Sequence, residues 1–385
     1  MKKHDQDFMK RQNRLTVFEI IKSQQPISRA AIAKQTGMSP TTVSRIVAEL
    51  TEEGYLLETE QVSAGLGRKS TLLAMVDAAV LSVGVELDRH RIHIGIVDIQ
   101  GNVVAKTDYA RATDESVNAT LERIGAEIDR LTKSNEIDCG RLIGIGVGLP
   151  GIVDNEKGVV VFSVQLGWKN VALAEKLKAI TGYEVAIDNE LKVKALAEHL
   201  KGAAIGSSRT AMLGFGNGVG SALIVDGEID RGKTNSAGEI GHTTIDPNGM
   251  MCDCGKAGCL QTYINIHSLL SEANKIRPVR TIEELFEARR AGERWAVYLV
   301  DRALMYMAIT INNVVCMHNP DTVIMSGELT DKFPEIYEEV AELCIKRFVW
   351  EPLRGTFAIR PSELSGQGVV IGSGLMSQNC FFALE

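Results

Sequence analysis

Gly238-Glu-Ile-Gly-His242, nine residues, then Cys252-Asp-Cys254-Gly-Lys-Ala-Gly-Cys259 is the stretch around which the chain is organised. One His and three Cys make four donors, the number a tetrahedral structural zinc requires. Cys-x-Cys and Cys-x4-Cys spacing with intervening glycines lets a short loop fold back on one ion. A lone cysteine is usually a small buried hydrophobe, but three within eight residues, preceded by a His, do not fit that pattern. His242, Cys252, Cys254 and Cys259 are therefore the expected Zn2+ ligands, in a structural site with no open coordination position. Glu239 lies three residues before His242 in a glycine-rich setting, so a polar pocket is expected beside the metal.

The chain has 385 residues, enough for two or three domains. At 45% hydrophobic and 24% charged it reads as a folded, soluble protein rather than a disordered one. The first residues carry no apolar signal core, and no run approaches the roughly 18 apolar residues of a membrane span. With three of its seven cysteines assigned to the metal, Cys139, Cys316, Cys344 and Cys380 are isolated thiols, which fits a reducing cytoplasm. Residues 1–75 hold 11 Lys and Arg against 8 Asp and Glu, and the remainder 31 against 41. A head of +3 sits on a body of −10, giving the net −7. That asymmetry suits a head that meets an anion.

The head, residues 1–75, reads as a winged helix-turn-helix. Leu15, Val17, Phe18, Ile20 and Ile21 form the apolar face of a first helix. Ser28 caps a short second helix that Gly37 stops, and Ser39 caps a third with Pro40 at its first position. Val43, Ile46, Val47 and Leu50 face inward there, leaving Thr41, Thr42, Ser44 and Arg45 outward near the start. A helix of this kind enters the major groove and reads base edges with its first turns. Two strands follow, flanking Gly65-Leu-Gly67-Arg68-Lys69-Ser70, a basic wing tip whose Arg68 and Lys69 can reach phosphates or a minor groove. Ser39, Thr41, Thr42, Ser44, Arg45, Arg68 and Lys69 are the expected DNA-binding residues. The competing reading is a three-helix interaction module with a basic loop.

The body, residues 78–385, is α/β with an internal repeat. Leu81–Glu86, a loop, Ile92–Asp98 and Gly101 are matched by Thr210–Phe215, Gly216-Asn-Gly-Val-Gly220, Ser221–Asp226 and Gly227. Each is strand, loop, strand ending Ile-Val-Asp, then a glycine turn. Two related lobes with a cleft between them follow. Helices are expected over Glu115–Ser134, Asn189–Leu200 and Ala296 to about Cys316, and strands over Leu142–Leu149, Tyr183–Ile187 and Thr322–Met325.

Together with the metal loop, Leu149-Pro-Gly151, Leu166-Gly-Trp168, Gly216-Asn-Gly-Val-Gly220 and Ala237-Gly-Glu-Ile-Gly-His242 make the chain resemble the ROK family, and within it the xylose-repressor-like, sugar-responsive branch. The family contains sugar kinases and winged-helix sugar repressors, and the resemblance covers essentially the whole chain. It implies a duplicated actin-like (ribonuclease H-like) two-lobed body of the sugar-kinase type, with sugar in the interlobe cleft. It also implies a pocket lined by Asn189, Glu190, Glu239 and His242, with Gln165 and Gln261 where many members have Asn and Glu. An acid replaced by an amide suits an unusual sugar, a sugar phosphate or a polyol, since an unmatched buried polar group costs about 1–3 kcal/mol. The alternative is a degenerate pocket that binds nothing.

A kinase needs a glycine turn to cradle nucleotide phosphates and a carboxylate base. The family's first phosphate loop, Asp-x-Gly-Gly-Thr, is matched here by Glu86, Leu87, Asp88, Arg89 and His90, with both glycines gone. Asn217 stands for a kinase Thr, and Glu190 occupies the base position. No kinase activity and no ATP are expected. The expected function is a sugar-responsive repressor, a homodimer or tetramer on a pseudo-palindromic operator. One alternative keeps the DNA head under control of a phosphotransferase-system protein; a kinase with a regulatory head is the other.

Overall fold

The structure, a computed structural model, describes residues 3–62 and 70–384. The wing tip with Arg68 and Lys69 lies outside them.

The head is built from α1 (Lys3–Gln24), β1 (Ile27–Ser28), α2 (Arg29–Thr36), α3 (Pro40–Glu52), β2 (Leu56–Val62) and β3 (Ser70–Met75). Ser28 accepts the Ala31 N–H to start α2, and Gly37 ends it in the left-handed region at φ 68°. Ser39 caps α3 through the Thr42 N–H, and Val43, Ile46, Val47 and Leu50 are buried as expected. The three strands form a sheet of order β1-β3-β2.

The first lobe follows: β4 (Leu81–Leu87), β5 (Arg91–Asp98), β6 (Val103–Ala110), α4 (Val117–Ser134), β7 (Leu142–Leu149), β8 (Ile152–Asp154), β9 (Val159–Ser163), β10 (Trp168–Val171), α5 (Leu173–Thr181), β11 (Val185–Asn189) and α6 (Glu190–Lys201). The second lobe contains β12 (Arg209–Phe215), β13 (Val219–Val225), β14 (Glu228–Ile229), α7 (Gln261–Ile264), α8 (Ile266–Asn274), α9 (Ile282–Arg290), α10 (Arg294–His318), β15 (Thr322–Ser326), α11 (Glu328–Lys332), α12 (Glu335–Leu343) and β16 (Ala358–Pro361). The last helix, α13 (Gly368–Leu384), returns to the first lobe.

The repeat seen in the sequence is a repeat of topology. One sheet runs β11-β7-β4-β5-β6, and the other β14-β13-β12-β15-β16, the same order read from the opposite end. In each, an antiparallel hairpin (β4–β5, β12–β13) has a parallel strand (β7, β15) on its outer side. A small sheet, β10-β9-β8, is added to the first lobe. The expected strand at Tyr183–Ile187 sits two residues later, at Val185–Asn189.

Between the sheets lie α6 and α13, which share one apolar seam: Val193 and Leu196 from α6, Val369 and Met376 from α13, Met212, Ile224 and Ile324 from the second sheet. Only glycines allow α13 to seat so closely. A Cβ at Gly84 of β4 would stand 1.9 Å from the Val370 carbonyl oxygen, and one at Gly146 of β7 1.8 Å from that of Ser373. On its other side, a Cβ at Gly372 would lie 1.8 Å from the Val193 carbonyl of α6. Sheet, α13 and α6 thus pack backbone to backbone.

The far end of α13 reaches the head. Phe382 packs at a tilt against Phe18 of α1 with ring centroids 4.5 Å apart and meets Tyr55 edge-on at 6.2 Å. The head core is completed by body residues Val80, Ile99, Ile143 and Phe382. Against the expectation that no run approaches a membrane span, α10 has the length and the mean hydropathy, 1.2, of one. Its Leu299, Val300, Leu304, Met307 and Ile311 are instead buried in the second lobe's core.

Candidate functional site

Parallel strands of α/β sheets deliver ligand-binding loops at their carboxyl ends. Here β4 ends at residues 88–90, β7 at Pro150-Gly151 and β11 at Asn189-Glu190, while β12 ends at Gly216–Gly218 and β15 at Gly327. Register ties the first three together: Glu86 pairs with Gly148, Gly148 with Asp188, and Leu149 with Asn189.

Asn189 is the N-cap of α6. Its Oδ1 accepts the Leu191 N–H at 2.9 Å, and its Nδ2 donates to the Gly151 carbonyl at 3.1 Å. Glu190 opens α6 and is half-buried. Burial pushes its carboxyl up to about 8, with Asp88 and Glu86 adding to the shift and Lys194 opposing it. Glu86 is pushed up to about 7 by burial, opposed by Lys194 and assisted by Asp88. Lys194, one turn along α6, is 8% exposed, with Nζ 3.9 Å from Asp331 Oδ2 of the second lobe.

Each of the two hairpin turns is held by hydrogen bonds. In the β4–β5 turn the Asp88 N–H donates to the Arg91 carbonyl and the Arg89 N–H to the Asp88 carboxylate, at 3.0 and 2.6 Å. In the second lobe Asn217 Nδ2 donates to Glu328 Oε2 at 2.9 Å. Gln165, on the β9–β10 turn of the first lobe, brings Nε2 against Gly218, where a Cβ would lie 3.5 Å away. Its amide closes on the second glycine turn.

Across the cleft, the backbone at Gly238 (φ 102°) is pressed against β13, where a Cβ would lie 2.0 Å from the Ser221 carbonyl oxygen. Glu239 follows and is exposed. His242 closes the short 3-10 turn Ile240–His242 and is also exposed.

One ligand atom each from His242, Cys252, Cys254 and Cys259 lies within 4.8 Å of the others. Cys254 and Cys259 Sγ are 3.6 Å apart and Cys252 Sγ is 3.7 Å from His242 Nδ1. A tetrahedron with Zn–S bonds of about 2.3 Å has edges of about 3.8 Å, so the donor set fits a zinc-sized ion. The backbone prepares it: Gly255 N–H closes a turn on the Cys252 carbonyl at 2.8 Å, and Gly258 (φ 71°) approaches Asp246 where a Cβ would clash at 1.5 Å. Burial pushes the Cys259 thiol up to about 12, whereas the Lys256 backbone N–H, first among several donors, draws Cys254 down to about 7. Gln261, expected on the pocket wall, directs Nε2 to Cys252 Sγ at 3.1 Å and so braces the metal ligands.

In the head, Thr41, Ser44 and Arg45 are exposed and Thr42 is half-buried. Ser39 and Thr42 share their hydroxyls at 2.8 Å, and Arg45 pairs with Glu49 at 3.2 Å.

Sequence reasoning missed the polar network that joins the lobes. Asp188, fully buried, receives Arg231 Nε at 3.0 Å and Asn235 Nδ2 at 2.8 Å from the second lobe. Asn235 also donates to the Val153 carbonyl at 2.9 Å, and accepts Lys192 Nζ on its own carbonyl and Oδ1 at 2.6 and 2.8 Å. Its φ of 56° is one that asparagine tolerates better than most residues. The one signal in sequence was Asp188 beside the quoted Asn189-Glu190 pair.

A winged head joined to a duplicated kinase-type body, with a cluster of one His and three Cys in the second lobe, defines a DNA-binding protein built on a sugar-kinase scaffold. The chain belongs to the ROK family, whose model matches residues 82–379; a winged helix-turn-helix DNA-binding model matches residues 10–56. It is 29% identical over 378 residues to the xylose repressor of Caldicellulosiruptor bescii, covering 94% of both chains. It is 27% identical over 377 residues to the N-acetylglucosamine repressor of Escherichia coli O157:H7, covering 94% of this chain and 92% of that one. Among solved structures, a ROK family transcriptional regulator described as a homologue of the E. coli MLC protein superposes with a TM-score of 0.84, at 24% identity and 98% of both chains. The ROK hexokinase from Thermus thermophilus superposes at 0.69, with 26% identity, 78% of this chain and 98% of that one.

Proposed function

We propose that the protein is a cytoplasmic transcriptional repressor of carbohydrate-uptake or catabolism genes, released from its operator by a sugar or sugar derivative in the interlobe cleft. Its units are the head, residues 1–75, and the effector-binding body, residues 78–385. The observation that carries this reading is α13. One helix packs against the pocket helix α6 at Gly372 and ends with Phe382 in a three-ring cluster with Phe18 and Tyr55 of the head. A shift of α6 on ligand binding is thereby transmitted to the position of the head. Coupling of this kind is reciprocal, so operator DNA weakens the sugar by the same factor.

Thr41, Thr42, Ser44 and Arg45 read the major groove, with Ser39 fixing the start of α3, and Arg68 and Lys69 hold the backbone. Two heads of a homodimer, or of a tetramer, meet the half-sites of a pseudo-palindromic operator. Asn189, Glu190, Glu239 and His242 bind sugar hydroxyls, while Gln165 and Gln261 act at the pocket's edges. Zinc on His242, Cys252, Cys254 and Cys259 is structural and holds His242 and Glu239 in place.

The protein is not a kinase in this reading. Two N–H groups that would cradle phosphates are bonded within the β4–β5 turn, and Glu328 faces Asn217 at the second turn. A second reading, control by a phosphotransferase-system protein, draws on the exposed Glu239 and on Gln165 and Gln261 being engaged away from the pocket centre.

The test is operator release. Zinc-loaded protein on DNA from its own promoter region is challenged with sugars, sugar phosphates and polyols. Release by one compound supports the sugar switch; tight binding released by none favours the protein effector.

A further inference from the structure

Resting on the reading of the cleft as the effector site, we infer that the turn at residues 98–102 is a joint through which the pocket helix α6 sets the head, with Lys201 as its driving contact.

The two lobes differ at this turn. Both hairpins end Ile-Val-Asp, but the second lobe passes directly from Asp226 to Gly227, whereas the first inserts Ile99 and Gln100 between Asp98 and Gly101. Those two residues reach the head. Ile99 is fully buried in the same core as Val17, Ile21 and Phe382. Gln100 Nε2 donates to the Asp77 carboxylate, in the 3-10 turn Asp77–Ala79 that links head to body. Arg141 steadies that link by donating to the Ala78 carbonyl at 2.9 Å.

The turn is bonded into one piece. Asp98, 3% exposed, accepts the N–H groups of Gln100 and Asn102 at 2.9 and 2.8 Å, and Asn102 Nδ2 at 2.8 Å. Two backbone bonds close it, from the Gly101 N–H to the Asp98 carbonyl and from the Asp98 N–H to the Asn102 carbonyl, both at 3.0 Å. A polar network satisfied in this way is stiff, so a push on one residue displaces the rest.

The push comes from α6. This helix starts beside the cleft at Glu190, runs about 18 Å, and ends on the turn. Lys201, its last residue, donates Nζ to the Gln100 carbonyl at 3.1 Å and also to Asn102 Oδ1. Its stem lies against Gly101 (φ 77°), where a Cβ would stand 3.1 Å from Lys201 Cδ. The other side of the turn rests on α13: buried Gln378 donates to the Asp98 carbonyl at 3.0 Å, and Leu375 and Ile371 flank Gly101. Phe382 and Ile99 thus hold one head core from two sides of the same joint. A hydrogen bond to an ammonium is worth about tenfold in an equilibrium, the size of an ordinary allosteric coupling.

The test uses the full-length, zinc-loaded protein and three variants. Lys201→Met keeps the stem and loses the donor, Lys201→Arg keeps a donor, and Gln100→Ala cuts the tie to Asp77. Hydrogen exchange of the α6 amides is read with and without DNA from the protein's own promoter region. Coupling is reciprocal, so that DNA should alter α6 exchange in the parent protein and in Lys201→Arg, and at least about 5-fold less in Lys201→Met and Gln100→Ala. Release from the DNA by xylose, glucose or N-acetylglucosamine should weaken by about the same factor in those two variants. Affinity for the DNA without sugar should stay within about 3-fold of the parent, which also reports a folded head. An α6 response equal in all four proteins, or absent from the parent, overturns the inference. Loss of DNA affinity in Lys201→Met and Gln100→Ala overturns it too, by assigning these contacts to stability. If no sugar releases the parent while DNA still alters α6 through Lys201, the sugar reading falls and the joint stands.

Discussion

Asp188 of the first lobe and Arg231 of the second form an ion pair at 2.9 Å, with the carboxylate fully buried and the guanidinium 28% exposed. Asn235 and the Asn189 N–H supply the remaining bonds to the carboxylate, each at 2.8 Å. Removing one partner of such a pair leaves the other charge unmatched in a dry site. Arg231→Met should therefore cost about 3–5 kcal/mol in urea unfolding. Adding Asp188→Asn should recover part of that loss; a double variant no better than the single one would mean that the pair does not act as a unit.

Metal removal tests the cluster formed by His242 and the three cysteines. Chelation should lower the melting temperature by at least about 5 °C, and added zinc should restore it. Gln261→Ala should cost only about 1 kcal/mol, the value of one hydrogen bond, and should ease zinc loss. A melting temperature indifferent to chelator would show that the four donors hold no metal.

Stability should fall as pH rises. Glu86 and Glu190 are held above their ordinary value of 4.5, at about 7 and about 8, by burial, with Asp88 adding to both shifts. The folded state therefore binds more protons than the unfolded one between 4.5 and those values. Their contribution is complete below 4.5 and is lost as pH climbs through 7 and 8. Melting temperatures recorded across that window should decline, and Glu86→Gln should flatten the decline. A profile unchanged by Glu86→Gln would remove that residue from the explanation.

Arg45→Ala should weaken operator binding by about 1–3 kcal/mol while leaving sugar affinity in the DNA-free protein unchanged, as titration of each ligand separately would show. The arginine is exposed and, among the described residues, held by Glu49 of the next turn alone, so little of the fold depends on it.

Phe382→Ala should cost roughly 2 kcal/mol, less than a fully buried phenylalanine, because the ring is half-buried. Its more telling effect should be on coupling: DNA and sugar each still bind, but the sugar no longer weakens the DNA complex. Full induction in this variant would mean that the signal travels by another route.

Much of this architecture was legible because it is local or repeated. The caps Ser28 and Ser39, the left-handed Gly37 and the inward set Val43, Ile46, Val47 and Leu50 follow from rules that act within one helix. The two lobes were legible because Ile-Val-Asp followed by glycine occurs twice, and the sheets repeat the same order. The clustering of His242 with Cys252, Cys254 and Cys259, a set that could hold a metal, was legible from spacing and chemistry. What escaped depends on register between distant elements. Nothing near Asp188 announces Arg231, and nothing near Lys194 announces Asp331. Gln261 stands two residues after a metal ligand, where the turn of the chain, not the residue type, decides between pocket and metal. Nor does any local rule announce the close approach of Gly238, just before Glu239, to the Ser221 carbonyl.

The contact between Phe382 and Phe18 also bears on the order in which the molecule is completed. The head is the first part of the described chain to leave the ribosome, and Phe382 is among the last. Until α13 has been made and seated on the first sheet, the flank formed by Phe18 and Tyr55 lacks its cover. Domains usually fold in the order of their emergence; this one receives its last packing contact only when α13 arrives. A nascent chain cut short before α13 would carry a head with an open apolar flank, a surface that invites association with other chains.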